Sequence, residues 1–189
     1  MSRSQRPATR DAQATAQHIL IVAQEVFHDR GFDGASTREI AERAELNLAL
    51  INRYFGSKRA LFQDAVADSL RFEALDGVQR QDLCAQLIAE FGAAPTTDQL
   101  FDPLTATLKS VANDDVRPML IDALTRHLLG PISRLLSGPD IEARTLLIAS
   151  QVLGLALMQR VLGHDLGEAA HVGLDHRLGR ALDRLIDED

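Results

Sequence analysis

The chain has 189 residues with one cysteine, no tryptophan and 4% aromatic residues. A lone Cys84 excludes an intrachain disulfide, which fits a reducing cytoplasm, and the sequence shows no metal-ligand spacing, phosphate loop or nucleophile motif. The net charge of −7 is unevenly divided, since residues 1–60 carry +2 and residues 61–189 carry −9. The N-terminal end is therefore the part suited to binding nucleic acid. Because the motifs named above are missing, we expect no metal, no cofactor and no enzymatic activity.

Hydropathy excludes a membrane protein. The longest uncharged apolar run, residues 145–159, is too short to cross a bilayer, and the N-terminus lacks the apolar segment of a signal peptide. We therefore expect a cytoplasmic protein with no membrane partner. Abundant Ala and Leu favour helices, and no segment alternates as a strand does, so the expected fold is all-α with about nine helices.

The first 30 residues divide into an arm and a helix. Residues 1–10 hold three arginines and a proline and predict a basic disordered arm, which either follows DNA phosphates or is a plain solvated tail. Residues 11–29 carry apolar side chains every three to four positions and predict the first helix. Gly31 is expected to end this helix, and Phe32 to fold back onto its apolar side.

Residues 36–55 read as two short helices joined by a tight turn. Ser36 or Thr37 caps the first helix, and Glu39 stands at the capping-box spacing from Ser36. Leu46 is expected to fill the turn, and Asn47 to cap a second helix that ends near Phe55. Ser57 is then expected to cap the next helix.

The second short helix has a polar edge of amide, guanidinium and phenol groups, which are the groups that contact DNA in a helix-turn-helix. The alternative is a helical hairpin with a solvated polar face. On the DNA-binding interpretation, the predicted phosphate contacts are Thr37, Asn52, Arg53, Tyr54 and Lys58. The predicted contacts to base edges are Leu48 and Ala49, with Asn47 as a third candidate.

This N-terminal third resembles the DNA-binding domain of the tetracycline-repressor (TetR/AcrR) family of bacterial transcriptional regulators. The residues that carry the resemblance are Phe27, Arg30-Gly31-Phe32, the run from Ser36 to Ala41, the run from Tyr54 to Lys58, and Leu61-Phe62. Two positions depart from the family pattern. Glu45 stands where the turn usually has Gly, and Asn47-Leu48-Ala49 replace a frequent Ser-Lys-Gly.

The resemblance implies an organisation for the whole chain. Residues 11–58 would form the DNA-binding domain, with the helix-turn-helix at about 36–55. Residues 59–189 would bind a ligand and dimerise, with helix four (59–75) as the connector. It also implies a homodimeric, ligand-responsive repressor on a palindromic operator. The alternatives are a helical small-molecule-binding protein with a non-functional DNA-binding end and an all-α enzyme, for which no acid–base or nucleophile set is present.

The family pattern places a cavity among the middle helices. His127 and Gln151 are polar positions within apolar helices, so they are the best candidates to orient a ligand, although a satisfied core hydrogen bond is an equal alternative. The candidates contain no Lys or Arg, which favours a neutral or apolar effector. They are Phe72, Leu87, Phe91, Phe101, Leu104, Met119, Ala123, His127, Gln151 and Met158.

Residues 141–163 predict a helix that is apolar around most of its circumference, and such a helix is buried on all sides. It is either the centre of one bundle or packs on its own domain with one side and on a second copy with the other. We favour the second interpretation, because two subunits reach two half-sites. The predicted interface residues are Ile148, Val152, Leu155, Leu174, Leu178 and Leu182.

Overall fold

The computed structural model of the protein describes residues 6–92, 101–163 and 168–187. All regular secondary structure in these ranges is helical and forms nine helical segments, which confirms the predicted all-α class. In chain order they are α1 (Arg6–Gly34), α2 (Thr37–Arg43), α3 (Leu48–Phe55), α4 (Lys58–Phe62) with a π-helical turn (Gln63–Ala67), α5 (Leu83–Gly92), α6 (Pro103–Ser110), α7 (Arg117–Leu124) continuing through a π-helical turn (Thr125–Leu129) into α8 (Gly130–Leu135), α9 (Ile141–Ala156) with a π-helical turn (Leu157–Val161), and α10 (Glu168–Asp187). Single 3₁₀ turns lie at Glu73–Leu75 and Arg80–Asp82.

The chain divides into two compact units. The first combines residues 1–69 with residues 100–120, and the second combines residues 70–99 with residues 121–189. The unit that holds the helix-turn-helix therefore also contains α6, which the sequence analysis places in the ligand-binding domain.

Three phenylalanines form the centre of the first unit. The Phe62 ring meets the rings of Phe27 and Phe32 edge-on, with centroids 4.9 and 5.2 Å apart. Aliphatic side chains from α1, α2, α3, α4 and α6 surround them. Phe32 thus folds back onto the first helix as predicted, and edge-on pairs of this kind add to the stabilisation from burial alone.

Helix α1 is longer than predicted at its N-terminal end. It begins at Arg6, so the prediction of a disordered arm is wrong for residues 6–10, and residues 1–5 lie outside the described residues. Pro7 does not prevent this start, because the first turn of a helix needs no backbone donor. At the other end the backbone of Gly31 leaves the helical region (φ 65°, ψ −175°).

The predicted connecting helix over 59–75 is also wrong in its extent. Helical geometry ends at Ala67, and Leu70, Phe72 and Leu75 follow in irregular and 3₁₀ backbone. All three side chains are buried, so their apolar spacing reflects burial and not a helix. Similarly, α6 begins after Asp102, whose carboxylate accepts hydrogen bonds from the amides of Leu104 and Thr105.

In the second unit α5, α9 and α10 pack against one another, and α8 packs on α9. Residues 141–161 form a helix that is long and apolar enough to cross a membrane by length and composition, whereas the sequence analysis considered this run too short. Only about a third of the tested window is buried. Its exposed side is therefore much larger than a buried central helix would have.

Candidate nucleic-acid interface

Side-chain caps begin the three helices of the helix-turn-helix region. Ser36 Oγ accepts a hydrogen bond from the Glu39 amide at 3.1 Å, Asn47 Oδ1 from the Ala49 amide at 2.8 Å, and Ser57 Oγ from the Ala60 amide at 3.1 Å. These caps confirm the predicted starts of α2, α3 and α4. The Glu39 carboxylate does not complete a capping box; it binds Arg30 and Arg43 instead, each at 2.9 Å.

The turn between α2 and α3 is a Schellman motif. The Leu46 amide donates to the carbonyl of Ala41 at 2.9 Å, and the Glu45 amide donates to the carbonyl of Glu42 at 3.1 Å. Glu45 adopts a left-handed conformation (φ 54°), which costs a non-glycine residue about 1 kcal/mol. Glu45 in place of the usual glycine thus makes the turn energetically less favourable, while the hydrogen bonds of a Schellman motif are kept. Leu46 packs against the core of the first unit, as predicted.

Helix α3 presents one continuous exposed face. Ile51 is buried on its inner side. Ala49, Asn52, Arg53 and Gly56 are all exposed and follow the i, i+3, i+4, i+7 spacing of a single face. This face offers a methyl group, an amide and a guanidinium to a partner, which is the mixture that reads and holds DNA in a groove.

The other predicted contact residues lie beside this face. Leu48 and Tyr54 are half-buried and pack against the core of the first unit. The Asn47 amide oxygen is committed to its cap, although the side chain is exposed. Thr37 is half-buried in the first turn of α2. The structure thus gives Asn52 and Arg53 a more central place than the sequence analysis did, and Leu48 a less central one.

Lys58 has a structural role in addition to any contact with DNA. Its ammonium group lies 4.3 Å from the centroid of the Phe32 ring, a cation–π contact. Burial lowers the pKa of Lys58, and the nearby carboxylate of Asp33 partly offsets this by raising it. Lys58 therefore helps to anchor the start of α4 to the core.

The arginines of the first unit differ in their partners. Arg30 and Arg43 bind the Glu39 carboxylate, and Arg59 donates to the carbonyl of Asp115. Arg38 and Arg53 are exposed and make no ion pair within the described residues. Arg38 is not among the DNA contacts predicted from the sequence. Its position directly after Thr37, in the first turn of α2, is the signal that would have found it.

Two family models match the chain. The model of the tetR family of bacterial regulatory proteins matches residues 19–65, and that of the tetracyclin repressor-like C-terminal domain matches residues 82–186, more than half of the chain. The chain belongs to the TetR family. It is therefore a transcriptional regulator with a DNA-binding helix-turn-helix, which confirms the resemblance found in the sequence.

One curated relative matches part of this TetR-family regulator. The probable helix-turn-helix-type transcriptional regulator YttP of Bacillus subtilis (strain 168) is 38% identical over 55 residues, which are 29% of this chain and 27% of YttP. The chain thus matches about a quarter of the length of that relative.

Solved structures share the fold over nearly the whole TetR-family chain. A candidate TetR-family transcriptional regulator from Mesorhizobium loti MAFF303099 superposes with a TM-score of 0.63 at 16% identity, covering 93% of this chain and 96% of that one. HlyIIR, a hemolysin II transcriptional regulator, gives 0.55 at 20% identity, covering 90% and 98%. At such identities these similarities show the fold alone.

The predicted ligand-pocket residues of this TetR-family regulator are divided between the two units. Leu104 and Met119 are buried in the first unit, where Phe101 packs on the core. Leu87, Phe91 and Ala123 are buried in the second unit, and the Phe91 ring contacts Phe72 with centroids 5.0 Å apart. Gln151 is half-buried and its amide donates to the carbonyl of Leu147 in its own helix, while Met158 is 45% exposed. Phe72 and His127 border a cavity of ≈ 150 Å³ in the second unit.

The predicted dimer-interface residues differ in how much of each side chain is exposed. Ile148, Val152 and Leu182 are fully buried inside the second unit and present no surface to a partner. Leu155, Leu174 and Leu178 are half-buried. The exposed side of α9 carries other apolar side chains, with Leu146 57% and Leu147 52% exposed, and Leu157 and Met158 are exposed in the π-helical turn that follows it. The exposed apolar side chains of this helix thus lie on a different side from the buried Ile148 and Val152.

Cys84 is a structural thiol of the TetR-family regulator. It is half-buried on α5, and its Sγ lies 3.5 Å from the carbonyl oxygen of Gly179 on α10. Burial, and then a hydrogen bond to Asp183, raise the pKa of the thiol to about 12. Cys84 thus stays protonated at neutral pH and is a poor nucleophile.

Proposed function

We propose that this TetR-family regulator is a cytoplasmic, ligand-responsive repressor that binds a palindromic operator as a homodimer. The observation that carries the proposal is the exposed face of α3, on which Ala49, Asn52 and Arg53 lie together with no ion-pair partner for the guanidinium among the described residues. A helix-turn-helix inserts this helix into the major groove, so these side chains meet the duplex first.

The contacts divide by chemistry. Arg53 and Arg38 supply charge to phosphates, with Thr37, Tyr54 and Lys58 as further phosphate contacts at the edges of the interface. Asn52 and Ala49 face base edges, since an amide pairs with adenine and a methyl group packs on thymine. Asn47 and Leu48 contact bases only at the start of α3. The Asn52 role differs from the prediction, which assigned it to phosphate, because the structure places it on the same face as Ala49.

Arg53→Ala is expected to weaken binding to DNA from the region flanking the protein's own gene by about tenfold near 0.1 M salt. The salt dependence should become shallower by about one unit of slope, because one phosphate contact is lost. Fluorescence anisotropy over a series of salt concentrations measures both quantities.

Arg43→Ala is the matched control for this experiment. It removes the same charge from the same unit, but Arg43 is already bound to Glu39, so the slope should change little. If wild-type protein gave no salt-sensitive binding, the small-molecule-binding alternative would be favoured. An Arg53→Ala protein that preferred a different operator at unchanged slope would instead make Arg53 a base-reading residue.

The homodimer rests on the exposed side of α9. An apolar helix face with Leu146, Leu147, Leu157 and Met158 in water is typical of an interaction surface. Ser150 and Gly154 lie between these apolar residues along the helix, and both are exposed. Because both residues are small, a second helix could approach closely there. A second copy of the same face forms a two-fold interface, which is also what a palindromic operator requires.

Leu147→Asp is expected to convert the dimer to a monomer at micromolar protein concentration, because a carboxylate would be buried at the centre of the interface. Sedimentation velocity measures the result. Ile121→Asp is the control, since Ile121 on α7 is equally exposed at 52% but lies off this face. A wild-type monomer, or a Leu147→Asp dimer, would contradict the assignment.

A further inference from the structure

A cavity in the second unit is bordered by an unusual number of cationic groups. Its volume is ≈ 150 Å³, and the side chains around it include Arg71, Phe72, Asp76, Arg126, His127 and Arg134. Arg71 follows the first unit in sequence, Arg126 and His127 lie in the π-helical turn between α7 and α8, and Arg134 lies in the last turn of α8. Two segments distant in sequence, one at residue 71 and one over residues 126–134, thus bring guanidinium groups to one cavity.

Two of these arginines have no ion-pair partner among the residues that the structure describes. Arg126 binds Asp122 at 2.5 Å, four residues earlier in its own helix. Arg71 and Arg134 make no ion pair within the described residues, and Asp76, the one carboxylate at the cavity, is not paired with either of them. Like charges that share a small cavity repel one another, so an anion between them would be bound favourably.

The cavity has an apolar neighbour. A second cavity of ≈ 160 Å³ shares Pro131 and Arg134 with the first and is otherwise bordered by Leu75, Gly77, Val78 and Leu135. The two cavities together approach the lower end of the volume typical of small-ligand sites, about 300 Å³. One end of this composite site is cationic and the other is aliphatic.

We propose that the composite site binds an organic acid with a short hydrocarbon chain. The acid's carboxylate lies between Arg71 and Arg134, and its hydrocarbon part lies along Leu75, Val78 and Leu135. This proposal names the effector class for the ligand response proposed above and rests on it only for the regulatory consequence. It also replaces the neutral or apolar effector that the sequence predicts, because none of the three arginines is among the residues selected there.

Isothermal titration calorimetry of the full-length protein with hexanoate, octanoate, octyl phosphate, 1-octanol, octylammonium and inorganic phosphate tests the proposal. We expect octanoate to bind at least tenfold more tightly than 1-octanol, and about fourfold more tightly for each methylene added from hexanoate. Octyl phosphate that binds as tightly as octanoate would indicate a general anion site, and weaker binding would indicate a carboxylate site. Inorganic phosphate shows whether negative charge without a hydrocarbon chain is sufficient for binding.

Arg71→Gln and Arg134→Gln should each weaken octanoate binding at least tenfold, and Val78→Asp should weaken it similarly from the aliphatic end. Arg180→Gln is the matched control, because Arg180 is an exposed arginine of α10 outside both cavities. All four side chains are exposed or half-buried, so these variants should keep the wild-type melting temperature. The melting temperature is measured alongside, to separate lost binding from lost folding.

Several outcomes would overturn the site. These are binding of octylammonium in preference to octanoate, equal binding of octanoate and 1-octanol, or no binding of either anionic amphiphile at about 10 mM. Adding octanoate to the protein–DNA complex then separates the two proposals. Tight octanoate binding with unchanged DNA affinity would support this site and contradict the ligand response.

Discussion

Replacing Gly31 by alanine is expected to lower the free energy of unfolding by at least about 3 kcal/mol. The backbone of Gly31 (φ 65°, ψ −175°) lies in a region that is essentially reserved for glycine. A β-carbon built there would also lie 2.9 Å from the carbonyl oxygen of Lys109. Because that atom belongs to the backbone of α6, it cannot move aside as a flexible side chain would.

The substitution would also weaken contacts of neighbouring residues, because Gly31 lies where α6 packs against the end of α1. The Lys109 ammonium donates to the carbonyl of His28 at 2.8 Å, and the Phe32 amide donates to Ser110 Oγ at 2.9 Å. Thermal unfolding at fixed protein concentration, followed by circular dichroism, measures the effect.

Gly56→Ala is the control for the Gly31 experiment. Gly56 also has a positive φ (77°), but nothing lies within 4 Å of a β-carbon built there. It should therefore show the backbone cost alone, about 1–3 kcal/mol. Equal losses at Gly31 and Gly56 would mean that the contact with α6 contributes nothing.

Arg144→Leu is expected to destabilise the second unit by about 3–5 kcal/mol. The side chain is only 3% exposed and donates four hydrogen bonds, all to backbone carbonyls. Its Nε binds Leu185 at 2.7 Å and its Nη2 binds Ile186 at 3.0 Å, in the last turn of α10. Its Nη1 binds Ser137 at 2.6 Å and Pro139 at 3.1 Å, in the turn before α9.

These carbonyls explain why a buried guanidinium is tolerated in α9. The last carbonyls of a helix have no partner within it and carry its negative end, so a cation placed there is favourable. Leucine would fill a similar volume but would leave the carbonyls without their donor. The expected loss is measured by urea denaturation at a single protein concentration.

Arg144→Lys should lower the free energy of unfolding less than Arg144→Leu does, because the positive charge remains. It should still be less stable than wild type, since one ammonium group cannot reach four carbonyls in two directions. The exposed Arg180→Gln should stay within about 0.5 kcal/mol of wild type. An Arg144→Leu protein as stable as wild type would show that water replaces the guanidinium at these carbonyls without cost.

The sequence predicts best those features that depend on neighbouring residues. The caps at Ser36, Asn47 and Ser57 each join a side chain to an amide two or three positions later, so residue type and spacing suffice to find them. The DNA-binding helices were therefore located from the sequence almost to the residue.

The sequence predicts poorly which side of a helix or irregular segment packs against the rest of the protein. Helix α9 is apolar around most of its circumference, so its pattern could not separate the buried Ile148 from the exposed Leu147. Arg71, Arg126 and Arg134 each look like an ordinary surface arginine in sequence, and only the folded chain brings them to one cavity. The end of helix four was missed because buried side chains in irregular backbone copy the helical spacing.

The contribution of α6 to the first unit has a consequence for how the protein is made. The helices that read DNA leave the ribosome first, but Lys109 and Ser110, which close the end of α1, are synthesised about 50 residues after α4 begins. At roughly 5–20 residues per second, that interval lasts on the order of seconds. A nascent chain would therefore acquire its capacity to bind an operator late, when much of the second unit is also being translated.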